Sequence, residues 1–249
     1  MSSARRSIPR RTKRRAFTLV EVLAVVAIIS VLAVLMADIA QKIRASGQRA
    51  MCANSLRQLG AATALYLADN GQRYFSYSQS RPDGKLWYFG LEPHGGGAEG
   101  DRALDVTQGP LYPYVFRSGV EVCPSFPYAS ALWKPKFKGA SWGYGYNIYL
   151  SDKLAMMVRS PSTTIVFGDC AQVNNFQAPA SAKHPMIEEF YMIEDKFKTI
   201  HFRHGGIANF LFADGHIEGL RNYPGTLDKK LPDAQIGRIT PAGSMKYLQ

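Results

Sequence analysis

The stretch "RRTKRRAFTLVEVLAVVAIISVLAVLMADIA", residues 10–40, joins a basic block to a long apolar run. From Phe17 to Ala37 the only charged residue is Glu21. In helical form residues 17–37 would extend about 31 Å, close to the hydrocarbon thickness of a bilayer. A carboxylate at the centre of a spanning helix costs about 2.5–3.5 kcal/mol, and less near its end. The stretch therefore predicts a membrane-spanning helix and raises the question of what Glu21 does.

The basic block also predicts the orientation of this helix. Lys and Arg residues stay on the cytoplasmic side of a membrane, so we expect a single-pass inner-membrane protein whose remaining chain lies in the periplasm or beyond. A secretory signal peptide has similar regions but ends in a small-x-small cleavage site. The nearest candidate, Asp38-Ile39-Ala40, begins with an acid, which argues against removal after the apolar run.

The positive charge of the chain is concentrated at its start. Seven of the 30 Lys and Arg residues lie in residues 1–16, which hold no acid. Beyond them 23 cations face 19 acids, so the balance falls from +11 to +4. We therefore expect no nucleic-acid partner. A composition of 46% hydrophobic and 12% aromatic residues predicts a folded core rather than a disordered chain.

The predicted helix continues beyond the membrane. No proline interrupts residues 17–67, and Asp69-Asn70-Gly71 predicts a helix end. After the span, one residue in every three or four is apolar or small, the pattern of a helix with one buried face. These residues are Cys52, Leu56, Leu59, Thr63 and Tyr66.

Past Gly71 the sequence becomes rich in Gly, Pro and aromatic residues, with short strand-like runs such as Tyr144–Leu150 and Ile207–Ala213. We predict an α+β fold in which a long N-terminal helix packs on an antiparallel β-sheet domain. The predicted divisions are a basic leader (1–16), a transmembrane half-helix (17–37), an amphipathic half-helix (38–70), and an extracytoplasmic β-rich domain with an irregular C-terminal arm (71–249).

The string Phe17-Thr18-Leu19-Val20-Glu21 after a basic leader resembles the amino terminus of type IV pilin-like proteins, including the pseudopilins of type II secretion. The resemblance implies a pilin-like fold, cleavage by prepilin peptidase between Ala16 and Phe17, and N-methylation of Phe17. It also implies assembly into a pilus or pseudopilus. The family usually has Gly before the cut, where this chain has Ala16, the next smallest residue.

Cleavage would give Glu21 a physical role in assembly. A new cationic amine at the head of an apolar helix needs a partner, because an unpaired buried charge is costly. Glu21 lies four residues further along, and in a bundle the carboxylate of one helix can meet the amine of the next. The alternative is an uncleaved anchor with Glu21 at the membrane interface, carrying a periplasmic binding or metal-dependent domain.

A second resemblance lies near the C-terminal end. His204 is followed after nine residues by Asp214-Gly215, similar to the H-X9-DG element of pilin-like proteins of planctomycete-type bacteria. The resemblance assigns no role to this element. Four shorter pieces agree in order: "CANSLRQLG" (52–60), "VCPS" (122–125), "YGYN" (144–147) and "STTIVFGD" (162–169).

The residues His201, His204, Asp214 and His216 have the chemistry of metal ligands. However, a strand over Ile207–Ala213 followed by an Asp-Gly hairpin turn would separate His204 from Asp214 by about 23 Å. We therefore interpret Asp214-Gly215 as a turn and His204 as a hydrogen-bonding residue at the strand entry. Calcium near Asp214, bound with carbonyl oxygens, is the alternative.

The three cysteines are too few for a disulfide scaffold but permit one bridge. Cys123 and Cys170 each lie at the end of a strand-like run. Two interpretations stay open: a disulfide between them, or two buried free thiols. Cys52 lies on the apolar face of the helix and is predicted to pack as a small hydrophobic residue.

No nucleophile motif, phosphate loop or dinucleotide fingerprint occurs in the sequence. The paired acids Glu188-Glu189 and Glu194-Asp195 lie in a polar stretch predicted to be at the surface. We therefore expect a structural protein rather than an enzyme. The resemblance implies that its partners are copies of itself, other pilin-like subunits, prepilin peptidase, the inner-membrane assembly platform and membrane lipid.

Overall fold

The computed structural model describes residues 18–115, 122–139 and 143–249. The predicted cleavage residues, Ala16 and Phe17, lie outside this part of the chain. The chain divides into two units, Met1–Arg44 and Ala45–Gln249. One helix, α1 (Leu19–Asp69), contributes residues to both units.

In the first unit, the described residues of α1 are exposed, including large apolar side chains such as Leu19, Ile28 and Leu35. The strongly apolar stretch of α1 has none of its residues buried. Within the described chain, α1 is the one helix whose length and composition would allow it to cross a membrane. This finding is consistent with the predicted membrane anchor.

In the second unit, α1 buries one face. Its buried residues are Cys52, Ser55, Leu56, Leu59, Ala62 and Thr63. Four of the five residues of the predicted stripe are therefore buried, and the fifth, Tyr66, is half-buried against the same core. The helix ends at Asp69, Gly71 adopts a φ of +61°, and the Gln72 N–H donates to the Leu67 carbonyl at 2.7 Å. This arrangement is a Schellman motif, so the predicted helix end is confirmed.

The rest of the second unit is mainly β-structure. A short helix, α2, covers Tyr112–Val115. The described strands are β1 (Ser78–Arg81), β2 (Gly84–Trp87), β3 (Gly90–Pro93), β4 (Trp133–Lys134), β5 (Tyr144–Asn147), β6 (Ile165–Asp169), β7 (Gln172–Asn174), β8 (Met186–Glu188), β9 (Met192–Ile193), β10 (Ile200–His201), β11 (Ile207–Phe212), β12 (Ile217–Arg221) and β13 (Ile236–Gly237).

The widest described sheet has the strand order β12-β11-β6-β5-β9. It is antiparallel except for the parallel pair β5 and β9. Three smaller sheets in the described chain have the strand orders β1-β2-β3, β4-β8-β7 and β10-β13. A long N-terminal helix followed by antiparallel and mixed sheets is an α+β, pilin-like architecture, as the sequence predicted.

Aromatic side chains form much of the core beneath α1. Phe75, Tyr88, Tyr144, Tyr146 and Phe167 are buried in the same cluster as the buried face of α1. The ring centroids of Phe75 and Tyr146 lie 4.5 Å apart, within the range of favourable aromatic pairs. The second half of α1 is therefore fixed by packing against this unit's own sheet.

Strands β11 and β12 form the predicted hairpin, with Leu211 opposite Ile217. The Gly215 N–H donates to the Phe212 carbonyl at 2.9 Å, and the Phe212 N–H donates to the His216 carbonyl at 3.0 Å. The loop therefore has three residues rather than the predicted two, and Gly215 takes the left-handed position with a φ of +92°. His204 and Asp214 lie beyond opposite ends of β11, as predicted.

Candidate functional site

Glu21 lies at the start of α1 and caps it. The Thr18 N–H and the Thr18 hydroxyl both donate to Glu21 Oε2, each at 2.8 Å. In return, the Glu21 N–H donates to Thr18 Oγ1 at 3.3 Å. This reciprocal pair is a capping box. Its Thr-x-x-Glu signal is present in the sequence, but the interpretation of Glu21 as a membrane charge did not include it. The carboxylate therefore also stabilises the helix start, where the helix dipole favours a negative charge.

The described cysteines pair differently from the prediction. Cys52 and Cys123 form a disulfide with Cα atoms 5.1 Å apart, whereas Cys170 is a buried free thiol. The proposed Cys123–Cys170 bridge is therefore wrong, and so is the prediction that Cys52 only packs. The physical reason is that Cys52 and Cys123 enter the core cluster that contains α1, while Cys170 enters a different cluster with Ile165.

His204 lies against this disulfide, and it connects the disulfide to the charged side chains of Asp169 and Arg203. Arg203 Nη2 donates to Asp169 Oδ1 at 2.9 Å, and His204 Nε2 lies 3.2 Å from Asp169 Oδ2. His204 Nε2 is also 3.7 Å from Cys123 Sγ. We call Cys52, Cys123, Asp169, Arg203 and His204 the disulfide cluster. It joins the helix, the end of β6 and the segment before β11.

Asp169 is the buried acid of this cluster. Burial by itself would raise its pKa, but the Arg203 guanidinium, His204 and the Asn209 N–H hold that pKa below its ordinary value. The Asn209 N–H donates to Asp169 Oδ2 at 2.8 Å, so the same carboxylate contacts β11. The His204 N–H donates to the Ile207 carbonyl at 3.0 Å, which confirms His204 as a hydrogen-bonding residue at the strand entry.

The disulfide cluster brings together residues from four of the sequence pieces singled out above. "CANSLRQLG" supplies Cys52, "VCPS" supplies Cys123, "STTIVFGD" supplies Asp169, and the first position of the H-X9-DG spacing is His204. Sequence reasoning identified the pieces but did not predict that they meet. No periodic pattern could reveal this, because the residues come from distant points in the chain.

Asp214, at the other end of β11, orders the hairpin turn. Its Oδ1 accepts the His216 N–H at 3.1 Å and lies 2.6 Å from His216 Nδ1. Slight burial raises the Asp214 pKa, but the His216 hydrogen bonds outweigh it and lower that pKa overall. The His216 ring stacks on Phe212 with centroids 4.3 Å apart. These contacts support the turn interpretation, and calcium at Asp214 stays a prediction.

The acids Glu188 and Glu189 are buried, so their predicted surface position is wrong. Glu188 Oε1 accepts from Lys134 Nζ at 2.9 Å, and Glu188 Oε2 accepts from Asn174 Nδ2 at 2.9 Å. Glu189 Oε2 accepts the Tyr191 hydroxyl at 2.8 Å. Burial of a carboxylate is tolerated when it is paired and hydrogen-bonded, and these partners meet that condition.

The family model for the prokaryotic N-terminal methylation motif matches residues 11–37. The match covers the end of the basic block, Glu21 and the apolar part of α1, and it supports a type IV pilin-like protein. No curated protein and no solved structure matches the chain. The motif match ends before Cys52, so the disulfide cluster and the β-structure are interpreted from their own residues.

Proposed function

We propose that the chain is a pilin-like structural subunit. Prepilin peptidase would cut it between Ala16 and Phe17, the new amine of Phe17 would be methylated, and α1 would assemble it into a type IV pilus-like filament or a type II secretion pseudopilus. The observation that carries this proposal is the methylation motif over residues 11–37, whose described apolar residues belong to an exposed helix with Glu21 near its start.

In this proposal the leader remains cytoplasmic, α1 anchors the chain in the inner membrane, and the β-rich unit lies outside. The partners are other pilin-like subunits, the peptidase, the assembly platform and membrane lipid. The chain acts by assembly and carries out no reaction. The proposed subunit also carries the H-X9-DG element, which runs from His204 to Asp214-Gly215.

The capping box suggests how Glu21 could change partners during processing. In the uncut chain Glu21 Oε2 accepts from Thr18, which directly follows Phe17. Cleavage converts the Phe17 peptide nitrogen into a cationic amine next to this cap. In an apolar bundle, pairing that amine with a Glu21 carboxylate would neutralise both charges, and pairing between neighbouring subunits would also fix their stagger.

Mass spectrometry of the mature amino terminus tests the processing step. We expect assembled protein to begin with N-methyl-Phe17. Ala16→Gly should be cut at least as well, because it restores the usual small residue, whereas Ala16→Phe should block cleavage. An intact leader in assembled protein would contradict the proposal and favour the uncleaved membrane-anchored domain.

A pair of substitutions separates the charge of Glu21 from its capping role. A capping box accepts Gln as well as Glu, so Glu21→Gln keeps the cap and removes the charge, while Glu21→Ala removes both. We expect both variants to insert into the membrane and neither to enter filaments, measured as the subunit in the sheared filament fraction.

Ser30→Ala is a matched control, because the hydrogen bond that Ser30 Oγ makes within the described chain goes to the Val26 carbonyl of the same helix. This variant should assemble normally. If Glu21→Gln assembles normally while Glu21→Ala does not, capping alone explains the residue and the charge-pair role is wrong.

A further inference from the structure

Two sulfur atoms and an imidazole nitrogen lie close together in the disulfide cluster. Cys52 Sγ, Cys123 Sγ and a ring nitrogen of His204 all lie within 4.8 Å of one another. Cys123 Sγ is 3.7 Å from His204 Nε2. Both cysteines are 0% exposed, and the side chain of His204 is 1% exposed. These three residues therefore form a compact, enclosed group of potential metal ligands.

The donor atoms and their spacing suit zinc once the disulfide is reduced. Cysteine thiolates and imidazole nitrogens are the usual ligands of tetrahedral zinc sites. With Zn–S and Zn–N lengths of about 2.3 and 2.1 Å, a tetrahedral ion holds a sulfur and a nitrogen about 3.6 Å apart. The observed distance from Cys123 Sγ to His204 Nε2 is 3.7 Å. Because the two sulfurs are bonded to each other, reduction must precede metal binding.

Zinc would leave the net charge of this buried cluster unchanged. Asp169 and Arg203 already form an ion pair, with Oδ1 and Nη2 2.9 Å apart. The thiolates of Cys52 and Cys123 carry two negative charges, which Zn²⁺ neutralises, and His204 binds as a neutral ring. The disulfide form and the zinc form therefore have the same net charge, and neither buries an uncompensated charge.

The ring of His204 can present Nε2 to an ion by a change of tautomer. Nε2 lies 3.2 Å from Asp169 Oδ2, whereas Nδ1 has no hydrogen-bond partner among the described atoms. A metal on Nε2 requires the ring hydrogen to lie on Nδ1. Moving the hydrogen there breaks no bond of Nδ1, although it gives up the contact with Asp169.

A surface cleft borders the group on one side. Its lining includes His204 and Pro124, which directly follows Cys123 in the chain. An ion bound to the three ligands would lie among their side chains rather than in the cleft, as in structural zinc sites whose ligands surround the metal. The cleft gives a reductant and an ion a route toward the group.

We propose that the reduced chain binds one zinc ion through Cys52, Cys123 and His204, and that this ion replaces the disulfide as the link between α1 and the segment before β4. A dithiol reductant supplies two electrons and two protons: the S–S bond breaks, two thiols form, and the dithiol closes to its own disulfide. Zn²⁺ then displaces the two thiol protons, without a change of oxidation state. This metal site goes beyond filament assembly and does not depend on it.

Metal titration of the full chain in uncharged detergent micelles tests the site. The chain is reduced with dithiothreitol and desalted without oxygen. Alkylation in denaturant and mass spectrometry should then show three labelled cysteines, against one in the oxidised chain. We expect Co²⁺ to give thiolate-to-cobalt charge-transfer absorption at one ion per reduced chain, and Zn²⁺ to displace it. A disulfide that resists excess dithiothreitol, or a reduced chain without this absorption, would overturn the proposal.

Substitutions test the ligands. His204→Gln should weaken zinc binding by the reduced chain at least about tenfold, because it removes the imidazole ligand. Cys170→Ala is the matched control, since it removes the third thiol, which lies outside the group. Unchanged zinc affinity in folded His204→Gln, or lost affinity in Cys170→Ala, would contradict the assigned ligands. If His204→Gln does not fold, Cys52→Ser gives the same comparison, because it removes one thiolate.

Thermal unfolding tests whether the ion replaces the cross-link. Free Zn²⁺ at about 100 times its dissociation constant should raise the midpoint of the reduced chain by about 5–11 °C. The midpoint of the oxidised chain should stay the same, because its sulfurs are not available to the ion. An equal rise in both forms would place the zinc at other residues, and no rise in the reduced form would show that the ion does not stabilise the fold. Either result would refute the proposed link.

Discussion

The disulfide between Cys52 and Cys123 should contribute a large share of the stability of the β-rich unit. The two residues are 71 positions apart in the sequence. For a loop of that length the chain-entropy model gives about 4.4 kcal/mol of stabilisation at 25 °C, and typical measured values are about 2–4 kcal/mol. Both residues are 0% exposed, so replacing them together with Ala also removes packed sulfur atoms.

The assay is thermal unfolding of the full chain in detergent, followed by near-ultraviolet circular dichroism. For a unit of about 200 residues, each kcal/mol lowers the midpoint by about 2–4 °C. The Cys52→Ala/Cys123→Ala variant should therefore unfold about 9–18 °C lower if the full loop term applies. Cys170→Ala is the control, because it truncates a buried thiol that is not part of the disulfide and should cost about 1 kcal/mol.

Two results would refute this reasoning. The first is a double variant that unfolds at the same temperature as Cys170→Ala, since the closed loop would then contribute nothing measurable. The second comes from alkylating the denatured, unreduced protein and mapping the label by mass spectrometry. We expect the label on Cys170 alone, and a label on Cys52 with none on Cys170 would restore the Cys123–Cys170 pairing.

Two further predictions concern Asp169 and the glycines. The folded-state pKa of Asp169 is lowered, so the ionised carboxylate stabilises the fold above its ordinary pKa of 3.8. This stabilisation is lost as the pH falls through the lower folded-state pKa. Acid unfolding curves of Asp169→Asn should therefore show a smaller loss of stability over the same pH range. Gly168→Ala would place a Cβ 2.4 Å from Phe210 Cδ1 and should destabilise the fold by about 1–3 kcal/mol. Gly47 lies in α1 with open space around its position, so Gly47→Ala should stabilise the fold by about 0.5–1 kcal/mol. The same thermal assay measures both glycine substitutions. A lower midpoint for Gly47→Ala would contradict the expected stabilisation of the helix.

Local signals in the sequence were sufficient to predict α1 and the β11–β12 hairpin. An uninterrupted apolar run, a 3–4 residue stripe and an Asp-Asn-Gly end are all properties of neighbouring residues. The alternation in Ile207–Phe212 and the Asp-Gly pair are local in the same sense. The loop length was wrong by one residue because a two-residue turn and a three-residue loop with Gly in its last position share this signal.

Pairings between distant residues could not be predicted in the same way. Whether Cys123 pairs with Cys52 or with Cys170 depends on which core cluster each cysteine enters. No local pattern in the sequence predicts that cluster. Glu188-Glu189 looked like surface acids because Lys134, which compensates Glu188, lies 54 residues earlier in the chain. The capping box at Thr18 is a different case, since its signal is local and was overlooked.

The Cys52–Cys123 bond also has a mechanical consequence. It attaches α1 covalently to the segment before β4, within the β-rich unit. A tensile load applied to α1 ahead of Cys52 therefore passes into this unit through a covalent bond as well as through noncovalent packing. Shear along the interface between α1 and the aromatic core is relieved at Cys52, so the following turns of the helix carry only part of the force.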